Sequence, residues 1–234
     1  MSKDVSNGIA LIVGAGSGLS AAIARAYTRE GLKCVLAART TDKLKALCDE
    51  TGATAIACDA SQPAQVEALF AQVDKLCAAP AAVVYNASGR VRGPLIELDP
   101  VQVANAISIS AYGGFLVGQA AAKRMLKQGA GAIIFTGASA SVKGYAQSAT
   151  FAMGKFALRG LAQSMARELA PQNIHVAHVV IDGGIRSAQR TVSADKPDSL
   201  LDPEAIAQSY VHLLQQQRSA WTWEIEVRPW VEKF

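Results

Sequence analysis

The glycine-rich loop at residues 13–19 (VGAGSGL) is the first part of the chain whose residue types suggest chemistry. It follows an apolar run and precedes a helical pattern. Glycine permits positive φ and close approach of a ligand, and a helix N-terminus offers free N–H groups to an anion. Leu19 breaks the G-x-G-x-x-G fingerprint, and Ser20 stands at the third glycine of a G-x-x-x-G-x-G pattern. We therefore predict a turn that binds the pyrophosphate of a dinucleotide, with a purely structural turn as the alternative.

Arg39 indicates which dinucleotide the loop would bind. Ala38 occupies the position where an NAD site carries Asp or Glu after the second strand, and Arg39 follows it. A guanidinium can bind a 2′-phosphate through two hydrogen bonds. Hydrogen bonds to charged groups contribute about 1.5–3 kcal/mol each, so NADP(H) is the predicted cofactor in preference to NAD(H). The alternative is that Arg39 is a solvated charge at the start of a helix.

The elements that must position these residues alternate between short β-type runs and longer helical patterns. The predicted strands cover residues 9–13, 33–37, 54–57, 81–85, 132–136, 174–181 and 223–227. The predicted helices cover residues 19–29, 42–49, 65–77, 101–127, 149–169 and 203–216. This alternation predicts an α/β fold: one Rossmann-like domain over residues 1–234, with a doubly wound parallel sheet of about seven strands and helices on both faces.

The stretch 187–202 departs from this pattern because it is polar, contains proline and has no periodicity. Loops at the carboxyl ends of strands carry substrate contacts in such folds, so we predict a substrate loop here. A simple surface connection is the alternative.

Composition excludes several classes of protein. Half of the 234 residues are hydrophobic, 18% are charged, and the net charge of +4 involves no cluster of Lys and Arg. These values exclude a disordered chain and argue against nucleic-acid or anionic-lipid partners. The four cysteines form no C-x-x-C pair, and the three histidines form no metal triad, so we expect no metal. The start of the chain lacks the apolar region of a signal peptide, and no apolar run reaches the roughly 18 residues of a membrane span. We expect a soluble, cytoplasmic protein that makes no membrane contact.

Together these motifs resemble the short-chain dehydrogenase/reductase (SDR) family over nearly the whole chain. Asp59 looks like the family's acidic residue at the adenine ring, and residues 85–89 (YNASG) resemble its N-N-A-G segment. Residues 182–187 (DGGIRS) sit where the family has its P-G loop beside the nicotinamide, and Lys155 matches the lysine of Y-x-x-x-K. The resemblance implies a homodimer or homotetramer that acts on a small-molecule substrate. It implies cofactor contacts at Gly14, Ser17, Gly18, Leu19, Arg39, Asp59, Ala60, Asn86, Ala87, Lys155, Ile185 and Ser187.

The resemblance breaks at the family's catalytic tetrad of Asn, Ser, Tyr and Lys. Phe151 stands four residues before Lys155, where the family has the tyrosine that acts as general acid and base. Ala138 stands at the serine position with Ser139 next to it, and Ser110 stands at the asparagine position. A positioned general acid contributes about 10²–10⁴-fold in rate, so another group must substitute for the tyrosine if the protein is an enzyme. The candidates for a proton donor are Tyr112, Tyr145 and Lys155 itself.

Two hypotheses follow. The first is an NADP(H)-dependent oxidoreductase that transfers a hydride between the nicotinamide and a small carbonyl or alcohol, with an atypical proton donor. Its predicted catalytic residues are Lys155, which would also hold the ribose, Ser139, which would orient the substrate, and Tyr145. The second is a dinucleotide-binding sensor or subunit without dehydrogenase turnover, which the three losses from the tetrad favour.

Overall fold

Seven parallel strands form one sheet in the computed structural model, which describes residues 8–77, 79–193 and 195–232. The strands are β1 (Ile9–Val13), β2 (Lys33–Ala38), β3 (Thr54–Ala57), β4 (Ala82–Tyr85), β5 (Gly131–Thr136), β6 (Ile174–Ile181) and β7 (Glu224–Val227). Their order is β3-β2-β1-β4-β5-β6-β7. The strand order reverses between β1 and β4, so the carboxyl ends of these strands form the switch point where such sheets bind ligands. The predicted fold class is confirmed.

The helices cover both faces of the sheet. They are α1 (Leu19–Arg29), α2 (Lys45–Thr51), α3 (Pro63–Val73), α4 (Pro100–Ile107), α5 (Gly113–Gln128), α6 (Ala149–Leu169) and α7 (Pro203–Gln215). Helices α1, α2 and α7 share one core with Ala10 and Ile12 of β1, and α3, α5 and α6 share the other with Leu11 and Val13. Because both faces are buried, the strands are apolar along their length without alternation.

The long helix predicted at 101–127 is interrupted in its middle. A π-helical segment, Ser108–Tyr112, joins α4 to α5. Its Ile109 carbonyl accepts a hydrogen bond from the buried Tyr85 hydroxyl at the end of β4. Such π segments inside helices are frequent at functional sites. This contact fixes the π segment above the carboxyl edge of the sheet.

The stretch Pro100–Gln128 also corrects the expectation that nothing in the chain could span a membrane. By length and composition it is the one stretch within the described ranges that could do so, with a mean hydropathy of 1.2. Core helices of soluble proteins meet the same criterion. One third of its most apolar window, 33%, is buried. Val117, Ala121 and Met125 of α5 are fully buried in the core that α3 and α6 also share.

Two further regions refine the predictions. Helix α3 begins at Pro63, whose fixed φ suits the first turn, and ends four residues before the predicted end at residue 77. The predicted substrate loop at 187–202 contains no helix or strand in its described part. A parallel bridge joins Ile185, two residues before the loop, to Leu201 near its end.

Candidate active site

The glycine loop lies at the switch point between the carboxyl ends of β1, β2 and β4. The N–H groups of Gly14 and Ala15 both donate to the carbonyl of Ala37 at 2.9 Å. Gly14 has φ of +86°, and a Cβ there would lie 2.3 Å from the main-chain nitrogen of Ala87. Only glycine permits both this conformation and this close approach. The loop is therefore held directly against the segment that follows β4.

Ser20, which departs from the glycine pattern, connects the loop to that segment. Its hydroxyl donates to the carbonyl of Gly14 at 3.0 Å and accepts from Nδ2 of Asn86 at 2.7 Å. Asn86, a predicted cofactor contact, thus uses its amide to hold the loop. Sequence reasoning missed this role, although a hydroxyl in place of a glycine was the available signal.

A cavity of about 560 Å³ opens between the glycine loop and the predicted substrate loop. Ser17 and Gly18 line one side, and Ser187 and Thr191 line the other. A Cβ at Gly18 would meet no atom within 4 Å. Main-chain N–H groups at the start of α1 and facing hydroxyls suit a phosphate-bearing ligand. The fold thus brings Ser187 close to Ser17 and Gly18, from which it is far in the sequence.

Several other predicted cofactor residues lie outside the lining of this cavity. Arg39 is exposed directly after β2, and its side chain makes no hydrogen bond or ion pair within the described ranges. Asp59 accepts from the N–H and hydroxyl of Ser61 at 3.0 and 2.7 Å, which shapes the turn after β3, where Ala60 is buried. Leu19 is also buried in the core, so only its backbone could face a ligand.

Lys155 lies buried at the carboxyl end of β5, with 3% of its surface exposed. Its Nζ donates to the main-chain carbonyl of Thr136 at 2.6 Å, and no carboxylate of the described chain pairs with it. Burial, with a smaller effect of the positive charge of Arg90, lowers the pKa of Lys155 to about 8. A proton can therefore leave or join this group near neutral pH.

The space beside Lys155 contains an aromatic ring and a guanidinium. The ring centroid of Phe151, one helical turn earlier on α6, lies 5.8 Å from Nζ of Lys155. The guanidinium carbon of Arg90 lies 3.8 Å from the same centroid. Sequence reasoning missed Arg90. Its only signal was a charge immediately after the YNASG segment.

Arg90 belongs to a segment, residues 89–93, that is fixed at both ends. The N–H of Gly89 donates to Oγ of Ser110 at 2.9 Å, and the N–H of Gly93 donates to the carbonyl of Gln147 at 3.3 Å. Ser110, at the expected asparagine position, is 1% exposed and lies in the π segment. It is therefore a positioning residue, because it acts through the backbone that carries Arg90.

Ser139 begins a single helical turn, Ser139–Ser141, directly after β5. Its half-buried side chain makes no hydrogen bond within the described chain and is free to bind a ligand. Two residues later, the buried Oγ of Ser141 accepts from the N–H of Ala138 at 3.1 Å and lies 3.3 Å from Nε2 of His178. The turn that presents Ser139 is thereby attached to β6.

His178 continues this chain of hydrogen bonds into the sheet. Its Nδ1 lies 2.9 Å from Oε2 of Glu224. Arg159 donates to both oxygens of the same carboxylate, to Oε2 at 2.6 Å and to Oε1 at 2.7 Å. Burial lowers the pKa of His178 to about 4 despite the opposing effect of Glu224. The neutral ring therefore accepts from Ser141 and donates to Glu224. Within the described ranges, no group of three or more His, Cys, Asp or Glu side chains could hold a metal ion.

The two tyrosine candidates differ in position. Tyr145 is half exposed, with its ring centroid 5.9 Å from Nζ of Lys143, which pairs with Oδ2 of Asp182 at 3.2 Å. The hydrogen bond from Lys143 to Asp182 raises the pKa of Lys143. Tyr145 thus lies near the loop after β6. Tyr112 instead stacks on Phe115, and both side chains are half exposed.

Comparison with known proteins agrees with this geometry. Residues 8–197 match the family model for short chain dehydrogenase. The crystal structure of a short-chain dehydrogenase from Rhodopseudomonas palustris is 35% identical, with a TM-score of 0.82 over 95% of this chain and 98% of that chain. A metagenomic short-chain oxidoreductase in complex with NADP is 28% identical, with a TM-score of 0.85 over 97% and 99% of the two chains. An uncharacterised oxidoreductase from Staphylococcus aureus strain N315 is 26% identical over 94% of this chain and 96% of its own length.

The chain therefore belongs to the SDR family. It is an oxidoreductase of the class that acts on alcohol and carbonyl groups with a nicotinamide cofactor.

Proposed function

We propose that the protein is an NADP(H)-dependent oxidoreductase of small carbonyl or alcohol substrates, in which Lys155 is the proton donor. The observation that carries this proposal is the buried Lys155 ammonium, whose pKa is lowered to about 8 beside Phe151. A group with this pKa is mostly protonated at neutral pH and can still release its proton, as a general acid must.

The cofactor residues suit a dinucleotide along its whole length. Ser17 and Gly18 of the glycine loop, with Ser187, line the cavity where the pyrophosphate would bind. Asp59 and Ala60, after β3, would contact the adenine, and the exposed Arg39, after β2, would bind the 2′-phosphate. Asn86 and Ala87 border the loop, and Ile185 lies after β6 on the nicotinamide side. The bound nicotinamide would supply or accept the hydride.

The chain's own residues would manage the substrate and the proton. During reduction, the substrate oxygen would take a proton from the Lys155 ammonium while the free Ser139 hydroxyl orients the carbonyl by a hydrogen bond. Tyr145, near Asp182, would contact the substrate from the rim of the site. In the oxidation direction the neutral amine of Lys155 would accept the proton.

We further propose a cytoplasmic homodimer or homotetramer. Three large apolar side chains are exposed on α5 and α6: Phe115 exposes 41% of its surface, Met153 53% and Phe156 45%. Large exposed apolar side chains on neighbouring helices suit contact with a second copy of the chain.

Titration with NADPH and NADH, followed by nicotinamide fluorescence at fixed salt, tests the cofactor preference. We expect NADPH to bind more tightly, and Arg39→Ala to weaken NADPH binding by about 10- to 100-fold with little effect on NADH. Lys33→Ala is the matched control, because it removes an exposed charge from the opposite end of β2. Equal affinity of the wild type for both cofactors would contradict the NADP(H) assignment. Absence of binding by either would contradict the function.

A further inference from the structure

Arg90 lies on the substrate side of the site, and Arg92 and Arg190 are the two cations whose charges act on it. The guanidinium carbon of Arg90 lies over the ring of Phe151, 3.8 Å from its centroid, and Lys155 lies beside the same ring. A Cβ at Gly184, in the loop after β6, would lie 3.0 Å from Nη1 of Arg190. Burial, followed by the charges of Arg92 and Arg190, lowers the pKa of Arg90. Arg92 follows two residues after Arg90 in the same segment, and its charge, with that of Arg190, contributes less to this shift than burial does.

These arginines have no acidic partner within the described ranges, whereas neighbouring cations do. Lys143 pairs with Asp182, and Arg186 pairs with Asp202 at 2.8 Å. Arg90, Arg92 and Arg190 are all solvent-accessible and form no ion pair there. Arg90 and Lys155 therefore place two positive charges without an acidic partner from the described chain beside the ring of Phe151. The charges of Arg92 and Arg190 add to them, which favours an anion in the cleft.

Arg90 is also held in position before any ligand arrives. The hydrogen bonds of Gly89 and Gly93 anchor both ends of its segment, and the Phe151 ring supports one face of the guanidinium. A guanidinium presents five N–H donors in a plane, and stacking leaves those at its edges available. Such a group matches the two oxygens of a carboxylate or phosphate.

We propose that the substrate carries an anionic group, a carboxylate or a phosphate, and that Arg90 binds it with the help of Arg92 and Arg190. This inference rests on the proposed function, because it places the anion next to the carbonyl group that Lys155 protonates and Ser139 orients. The fitting substrates are short oxo or hydroxy compounds with the charge a few bonds from the reacting carbon.

The first experiment compares the oxidation of NADPH by matched pairs that differ in charge. The pairs are pyruvate and methyl pyruvate, acetoacetate and ethyl acetoacetate, and dihydroxyacetone phosphate and dihydroxyacetone. We expect kcat/KM to be at least about tenfold higher for the charged member of one pair, and Arg90→Met to remove that preference. Arg167→Met, which removes an exposed charge near the far end of α6, leaves the ratio unchanged. The pair that responds distinguishes carboxylate from phosphate.

The second experiment measures binding without turnover. Oxalate and inorganic phosphate are titrated calorimetrically into the enzyme saturated with NADPH, so that the cofactor's own phosphate sites are filled. We expect one of them to bind wild type at least about tenfold more tightly than Arg90→Met. Binding that depends on Arg90 without turnover of any carbonyl would support the anion site and contradict the reductase. Turnover that favours neutral esters, or anion binding unaffected by Arg90→Met, would overturn the anion site and leave the reductase intact.

Discussion

Nζ of Lys155 donates a hydrogen bond of 2.6 Å to the main-chain carbonyl of Thr136, the last residue of β5. This bond holds a buried cation at the carboxyl edge of the sheet without a carboxylate from the described chain. The unfavourable burial of the charge lowers the pKa of Lys155 to about 8. One side chain thus connects the chemistry of the site to the stability of the fold.

The pH dependence of turnover follows from this pKa. Because the ammonium form of Lys155 donates the proton, the rate of carbonyl reduction is expected to fall as the pH rises through about 8. Alcohol oxidation is expected to rise over the same range, since the neutral amine accepts the proton. Initial rates in both directions between about pH 6 and about pH 10 measure this. A midpoint near 10, the ordinary value for a phenol, would assign the proton to a tyrosine instead.

Replacement of Lys155 by methionine should stabilise the protein while it abolishes reduction. A pKa lowered from 10.5 to about 8 corresponds to about 3 kcal/mol of unfavourable burial, and loss of the hydrogen bond to Thr136 offsets about 1–2 kcal/mol. We expect Lys155→Met to raise the free energy of unfolding by about 1–2 kcal/mol at pH 7, measured in urea.

The increase in the free energy of unfolding expected for Lys155→Met should depend on pH in a definite direction. Between about 8 and 10.5 the unfolded state binds more protons at this site than the folded state, so wild-type stability rises with pH and the advantage of Lys155→Met shrinks. Lys33→Met, at an exposed position, should show no such trend. A gain for Lys155→Met that does not change with pH would rule out this origin.

Two glycines of the same loop should respond differently to alanine. Gly14→Ala combines positive φ with a Cβ 2.3 Å from Ala87, so we expect a loss of at least about 2 kcal/mol in the free energy of unfolding. Gly18→Ala meets no protein atom, so stability should change by less than about 0.5 kcal/mol. Its Cβ would enter the cavity, so NADPH affinity should fall at least about tenfold. Unchanged affinity in Gly18→Ala would exclude the pyrophosphate from this position.

Phe151→Tyr tests whether the site lacks a proton donor. Since Lys155 already provides an acid, we expect kcat for reduction at pH 7 to change by less than about threefold. An increase in kcat that approaches the roughly 10²–10⁴-fold contribution of a positioned acid would show that Lys155 is not the general acid of the wild type. Phe151→Leu is the control for loss of the ring that supports Arg90.

The fold and the glycine loop were predictable because both depend on local patterns. Buried parallel strands are apolar runs, and helices show a period of 3.6 residues, so α6 and β6 were predicted at their observed bounds. The π segment at Ser108–Tyr112 was not predictable. It depends on the contact of Ile109 with Tyr85, which lies on a distant strand.

The sequence by itself determined the strand and helix order, the position of the glycine loop, and the absence of a tyrosine four residues before Lys155. Only the tertiary structure decided what stands beside that lysine. The stacking of Arg90 on Phe151, the anchoring of residues 89–93 by Ser110, and the attachment of the Ser139 turn through His178 join residues far apart in sequence. Such contacts follow from the packing of whole elements and leave no periodic signal in the sequence. The lowered pKa of Lys155 likewise depends on its burial in the folded protein, so the sequence alone could not predict it.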